Sequence, residues 1–115
     1  MKSDEWILIK VMEECDELSQ RVSKALTFGL HEVQEGQAYS NQERIMHELA
    51  DLLGILELSR ERDLTLTVES ERIDKKKDKV LKYLEYAKSL GVVEDESYSG
   101  GGQGEHDEIM RAIGH

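Results

Sequence analysis

The sequence predicts an all-α fold: an antiparallel bundle of three main helices plus a short C-terminal helix, completed by oligomerisation. Three observations carry this expectation. The 115 residues include no proline, so no ring clash or missing N–H interrupts a helix. Gly100, Gly101, Gly102 and Gly104 account for four of the nine glycines, which leaves few breaks elsewhere. Apolar residues recur three and four apart in three long segments, which is the helical period.

The first segment reads as a helix from Asp4 to Phe28. Ser3 is a plausible N-cap, Asp4 and Glu5 suit the positive end of the dipole, and Gly29 is placed to end the helix. Ile7, Val11, Cys15, Leu18, Val22 and Ala25 form its apolar stripe, with Glu14 at the edge and Glu17 just outside. Residues 30–40 lack a helical period and read as a loop of functional length. The second helix opens on Ser40-Asn41-Gln42-Glu43, a capping-box pattern, and runs to Ser59 or Asp63. Its leucines wrap most of its surface, which predicts a central, buried helix. Gly54 in its interior suggests a close helix crossing. Residues 64–67 read as a connector ending at an N-cap, Thr67 or Ser70. A third helix then runs to Leu90 with the stripe Ile73, Val80, Leu84 and Ala87, capped by Gly91. This organisation predicts a helical domain over residues 1–94. Residues 95–115 form an acidic and glycine-rich tail, with a short docking helix within Glu105–Ile113.

Charge and cysteine usage narrow the function. Fifteen basic residues against 25 acidic ones give a net charge of −10. Sequence-independent nucleic-acid binding needs a basic footprint, so no nucleic-acid partner is expected. The apolar run Trp6–Met12, broken by Lys10, is too short for a signal peptide or a membrane span, so no membrane association is expected. The single Cys15 excludes an internal disulfide and a cysteine zinc cluster. It fits a reducing compartment, and a cytoplasmic location is the expectation.

The informative pattern is a pair of carboxylate motifs. Glu13-Glu14-Cys15-Asp16-Glu17 reads E-E-x-x-E, and Glu48-Leu49-Ala50-Asp51 reads E-x-x-D. Residues three apart are neighbours on one helical face, so Glu14 pairs with Glu17 and Glu48 with Asp51. Carboxylate pairs are common on solvated faces, and the first pair alone says little. The second pair lies along an otherwise apolar surface, beside Ile55 and Leu58. Ionised carboxylates there are costly unless paired or bound to metal. Brought together helix against helix, the four acids make an oxygen-only site suited to Mg²⁺ or Mn²⁺.

E-E-x-x-E on one helix and E-x-x-D on the next resembles the MazG-like family of all-α nucleoside triphosphate pyrophosphohydrolases, over about residues 4–90. The resemblance implies a dimeric or tetrameric helical assembly. It implies hydrolysis of a nucleoside triphosphate between the α and β phosphates, giving a monophosphate and pyrophosphate. It implies Mg²⁺ ligation by Glu14, Glu17, Glu48 and Asp51, with Glu13 in a supporting role. House-cleaning of the nucleotide pool is the corresponding role. The neighbouring alternatives are a phosphoribosyl-ATP pyrophosphohydrolase and a non-catalytic helical interaction module.

An anionic substrate also calls for cations. Lys76 and Lys77, in the run Lys75-Lys76-Lys77-Asp78-Lys79, flank the third helix's apolar stripe and are candidates for phosphate. Their competing reading is a solvated basic face, which Lys75 and Lys79 fit better. Arg21 and Lys24 extend the Glu14–Glu17 side of the first helix and are further phosphate candidates. Pairing of Arg21 with Glu17 is the simpler alternative. His31, Gln34, Gln37 and Tyr39 in the loop are candidates to read a base. Trp6 and Phe28 fit packing or interface roles, and His47 reads as surface.

Overall fold

A computed structural model describes residues 1–95 of the chain. It contains three helices, α1 (Ser3–Phe28), α2 (Asn41–Arg60) and α3 (Ser70–Ser89), and no strand among the described residues. The glycine-rich tail and the short helix within Glu105–Ile113 lie outside the described residues. The described residues divide into two compact units, Met1–Thr67 and the segment from Val68 on, at the connector that precedes α3.

In the first unit α1 and α2 pack as an antiparallel helical hairpin. The positions withdrawn from solvent on α1 include Asp4, Ile7, Val11, Glu14, Leu18, Arg21 and Ala25. On α2 they include Asn41, Ile45, Glu48, Leu52, Ile55 and Ser59. Both sets step by three and four residues, the spacing of knobs-into-holes packing. Ile7, 2% exposed, is the one buried apolar residue among the described residues.

The register differs from the expected one in two ways. Cys15 and Val22, assigned to the α1 stripe, are exposed, and Glu14 takes a seam position instead. On α2 the seam runs through Glu48, Leu52 and Ile55, while Met46, Leu49 and Leu53 remain 59%, 44% and 57% exposed. Within the hairpin α2 is covered on one side only. Its only buried residues are the polar Asn41 and Ser59, because α1 covers one side of a helix that is apolar on several.

The helix ends follow local chemistry. The capping box of α2 is complete: the Glu43 N–H donates to Ser40 Oγ at 3.2 Å, and the Ser40 N–H donates to Glu43 Oε1 at 3.1 Å. Ser3 does not cap α1. It is the first helical residue, and Lys2 occupies the N-cap with no side-chain bond. The N-cap of α3 is Glu69 rather than Thr67 or Ser70, again without a side-chain bond. Charge in the first turn serves these two helices instead, through Asp4 and Glu5 in α1 and Glu71 in α3. At the end of α3 the Gly91 N–H donates to the Lys88 carbonyl at 3.0 Å, and the Val92 N–H to the Ala87 carbonyl at 3.1 Å. That is a Schellman closure, and Gly91 supplies its positive φ of 74°. Gly54 marks no close crossing, since a Cβ there meets nothing within 4 Å.

Two buried polar side chains hold the hairpin's connections. Asn41, 1% exposed, donates through Nδ2 to the Gly29 carbonyl at 2.8 Å and to Glu32 Oε1 at 3.3 Å. The Asn41 and Gln42 N–H groups donate to the Glu32 and Leu30 carbonyls at 3.0 and 2.9 Å. Free donors at the start of α2 thus tie down the loop that enters it. Within that loop the Gln37 N–H donates to the Gln34 carbonyl at 2.9 Å, closing a turn whose third residue, Gly36, has φ of 84°. At the other end Ser59 Oγ donates to the Leu56 carbonyl at 2.6 Å and accepts from the Leu66 N–H at 3.3 Å. That bond folds residues 64–67 back as a connector.

In the second unit α3 is amphipathic but largely solvent-facing. Leu84 and Ala87 are half-buried, while Ile73 and Val80 of the expected stripe are 48% and 52% exposed.

Candidate metal centre

The hairpin brings three of the four motif acids together. One carboxylate oxygen from each of Glu14, Glu17 and Glu48 lies within 4.8 Å of the others. Seam packing explains the approach. Glu14 and Glu48 occupy facing seam positions, and Glu17 lies one turn along α1 from Glu14. Asp51 is exposed and outside this trio, but its charge is felt at Glu17.

The electrostatics are those of acids in want of a partner. Glu14 Oε2 and Glu48 Oε2 are buried and make no hydrogen bond. Glu17 is held above the usual carboxylate range, first by hydrogen bonding to the Glu48 carboxylate and then by that group's charge. Desolvation and Asp51 push the same way, while Arg21 opposes them. Arg21 Nε stands 3.9 Å from Glu48 Oε1. The expected Arg21–Glu17 pairing along the helix is thus replaced by a contact across the helices.

The remaining candidates divide clearly. Glu13 is bound by Lys10 Nζ at 3.0 Å, and the same Nζ lies 4.9 Å above the Trp6 ring. Lys24 Nζ sits 5.7 Å above the Phe28 ring, so Trp6 and Phe28 serve here as platforms for lysines of their own helix. Lys76 lines a shallow groove with Arg72, Lys75 and Lys79. Residues at this spacing share one face of α3, and Lys77 lies off it. Lys75 is also paired with Glu71 at 3.1 Å. In the loop Gln34 Oε1 accepts from Arg44 Nη1 at 3.4 Å. Tyr39 packs edge-on against His47 with ring centroids 4.7 Å apart. His31 and Gln37 are exposed.

Sequence reasoning missed the buried polar residues Asn41 and Ser59, and the contact of Arg44 with the loop residue Gln34. Asn41 carried no signal of its own, because an Asn beside an N-cap Ser reads as one more capping residue. Arg44 lies four residues before Glu48, and that spacing alone puts it on the Glu48 face.

A trio of carboxylates is common on protein surfaces without any ion. In this one two oxygens, Glu14 Oε2 and Glu48 Oε2, are buried with no protein donor. Glu85 Oε1 on α3 is also buried without a hydrogen bond, but Lys88 Nζ lies 3.5 Å from it. An all-oxygen set of this kind fits a hard divalent cation such as Mg²⁺ or Mn²⁺. Comparison of the chain with protein-family models, with curated proteins and with solved structures returns no match.

Proposed function

We propose that the α1–α2 hairpin carries the active site of a Mg²⁺-dependent nucleoside triphosphate pyrophosphohydrolase, which converts a (deoxy)nucleoside triphosphate and water to the monophosphate and pyrophosphate. The observation that supports this best is the convergence of Glu14, Glu17 and Glu48 around two buried, unsatisfied carboxylate oxygens. Glu14, Glu17 and Glu48 would hold the ion, with Asp51 completing the set from one turn further along α2. Bound Mg²⁺, or Mn²⁺ in its place, supplies the positive charge that lets an acidic site accept a triphosphate, and lowers the pKa of a bound water. The chain itself contributes preorganised oxygen donors on two rigid helices. One carboxylate of the set takes the proton of the attacking water. Glu13, bound to Lys10, supports the face from outside, and Lys24 of α1 is available to phosphate.

Met46, Leu49 and Leu53 form an exposed apolar face on α2, and a homodimer or homotetramer covers it. No described helix is long and apolar enough to cross a membrane, and a cytoplasmic house-cleaning role on the nucleotide pool completes the proposal.

The test is a panel of canonical and modified triphosphates, with phosphoribosyl-ATP included, scored for pyrophosphate against orthophosphate. The expected result is Mg²⁺-dependent release of pyrophosphate. Failure of every substrate would leave the hairpin an interaction module and contradict the proposal.

A further inference from the structure

We infer that the exposed face of α3 is the receiving surface for the chain's own C-terminal segment, Glu105–Ile113, which docks there as a helix running parallel to α3.

The argument begins with the spacing on that face. Arg72, Lys76, Lys79, Tyr83, Tyr86 and Leu90 step by four and three residues along α3 and its C-cap. That is the spacing of a face that meets a partner helix. All six are exposed, and Tyr83, Tyr86 and Leu90 are each 59% exposed. The face is divided along its length. Its first half is basic, where Arg72, Lys76 and Lys79 line a groove together with Lys75. Its second half is aromatic and apolar. At 100° per residue Asp74 and Asp78 fall on the opposite side of α3, so the basic half has no acid of its own line. Lys75 does have Glu71 at 3.1 Å, but both side chains stand in solvent and such a pair contributes little. Arg72, Lys76 and Lys79 form no ion pair among the described residues.

A face of this kind fits a helix that is acidic at one end and apolar at the other. The sequence after the described residues contains one. Glu105, Asp107 and Glu108 open it, and Ile109, Met110 and Ile113 close it. Charge complementarity sets the direction. Run parallel to α3, Glu105 and Glu108 fall abreast of Lys76 and Lys79, and the apolar end reaches the tyrosines. Run antiparallel, the acids would face the tyrosines and the apolar residues the lysines. The length of chain permits the parallel arrangement. From Leu90 back to Lys76 is about 21 Å of helix at 1.5 Å per residue. Residues 94–104 can span up to about 36 Å when extended. A helix as short as Glu105–Ile113 is marginal alone. Tethering offsets this by holding it at an effective concentration on the order of millimolar.

Amide hydrogen exchange followed by NMR on the full chain reads the docking. The amides of Glu105–Ile113 should exchange at least about tenfold more slowly than those of an unstructured peptide. Lys76→Glu combined with Lys79→Glu should lower that protection by about three- to tenfold, the effect of two exposed ion pairs. Glu105→Lys combined with Glu108→Lys should lower it equally. All four substitutions together should restore most of it, because the pairs are re-formed with their signs exchanged. Lys82→Glu, off the basic line, should change it little. Ile113→Ser should lower it without altering its response to salt. The tail substitutions lie outside the three helices and carry the test alone if the α3 variant does not fold. An unprotected segment in the wild type would overturn the inference. So would protection indifferent to both charge reversals, or a fourfold variant that fails to recover. Protection that fades on dilution through the micromolar range would assign the segment to a second copy of the chain and overturn docking within one.

Discussion

Glu43 and Glu17 are the two carboxylates of the hairpin whose titration is clearly displaced, and they move in opposite directions. Glu43 is held below the usual range, first by the Ser40 backbone N–H and then by the Ser40 hydroxyl. Glu17 is held above it because its nearest partner is another carboxylate, Glu48. Both residues are acids on the same two helices, joined by one loop. The difference is what faces them. At the start of α2 the chain has matched each acceptor with a donor, which is how a structural carboxylate is stabilised. At the cluster it has gathered acceptors and left two of them buried without donors. Folding does not require that arrangement, and a ligand of opposite charge would complete it.

The sharpest way to break this contrast is at the cluster. Glu48→Gln keeps shape and seam packing but removes the charge. Turnover of the favoured triphosphate should fall by at least about a hundredfold, since even outer residues of metal sites cost about ten- to a hundredfold. Asp51→Asn should also keep the fold and lose most activity. Near-wild-type turnover by either variant would return that residue to the solvated surface. Circular dichroism checks that the helices persist.

The next effect belongs to the loop clamp. Asn41→Ala removes a buried amide and leaves the Gly29 carbonyl without its donor. A loss of about 1–3 kcal/mol in urea unfolding is expected, the desolvation cost of an orphaned buried group. Ser40→Ala should cost about 1 kcal/mol, the usual value of an N-cap side chain, with Mg²⁺ binding preserved. A Ser40 variant that lost metal binding as well would show that cap and cluster are one unit.

These outcomes bear on how much was legible beforehand. The three helices, the capping box and the Gly91 closure follow from local chemistry within a few residues, so the sequence displays them directly. The pairing of Glu14 with Glu17 and of Glu48 with Asp51 is likewise a matter of helical spacing. The seam was not legible. Val22 competed with Glu14 for a place in it, and Leu49 with Glu48, and apolar content favoured Val22 and Leu49. The structure places both acids in the seam and leaves both apolar residues exposed. That choice depends on how one helix meets another, which no single-helix pattern encodes. The Arg21–Glu48 contact was hidden for the same reason, because i, i+4 pairing sees only one helix. Asn41 was hidden because its partners, Gly29 and Glu32, lie across a loop.

The smallest expected effect is a pair of opposed pH slopes. Glu43 is depressed in the folded state, so its contribution is present above its unfolded pKa and fades as pH falls through its folded value. Glu17 is raised, so the folded state holds its proton more tightly. Its contribution favours folding on the acid side and is lost as pH rises through its folded value. Across the carboxylate range Glu43→Gln should flatten the rising part of the metal-free stability profile, and Glu17→Gln the falling part. Identical profiles for the two variants would erase the contrast.

The central claim is that the cluster is unsatisfied until it binds a divalent cation. Thermal unfolding with and without millimolar Mg²⁺ tests it on the wild type and Glu48→Gln side by side. Ligand at a hundredfold its Kd stabilises the folded state by about 2.7 kcal/mol. For a chain of this size that is a rise in melting temperature on the order of 10 °C. The account predicts such a rise for the wild type and little or none for Glu48→Gln. Equal shifts in the two proteins, or no shift in either, would contradict it.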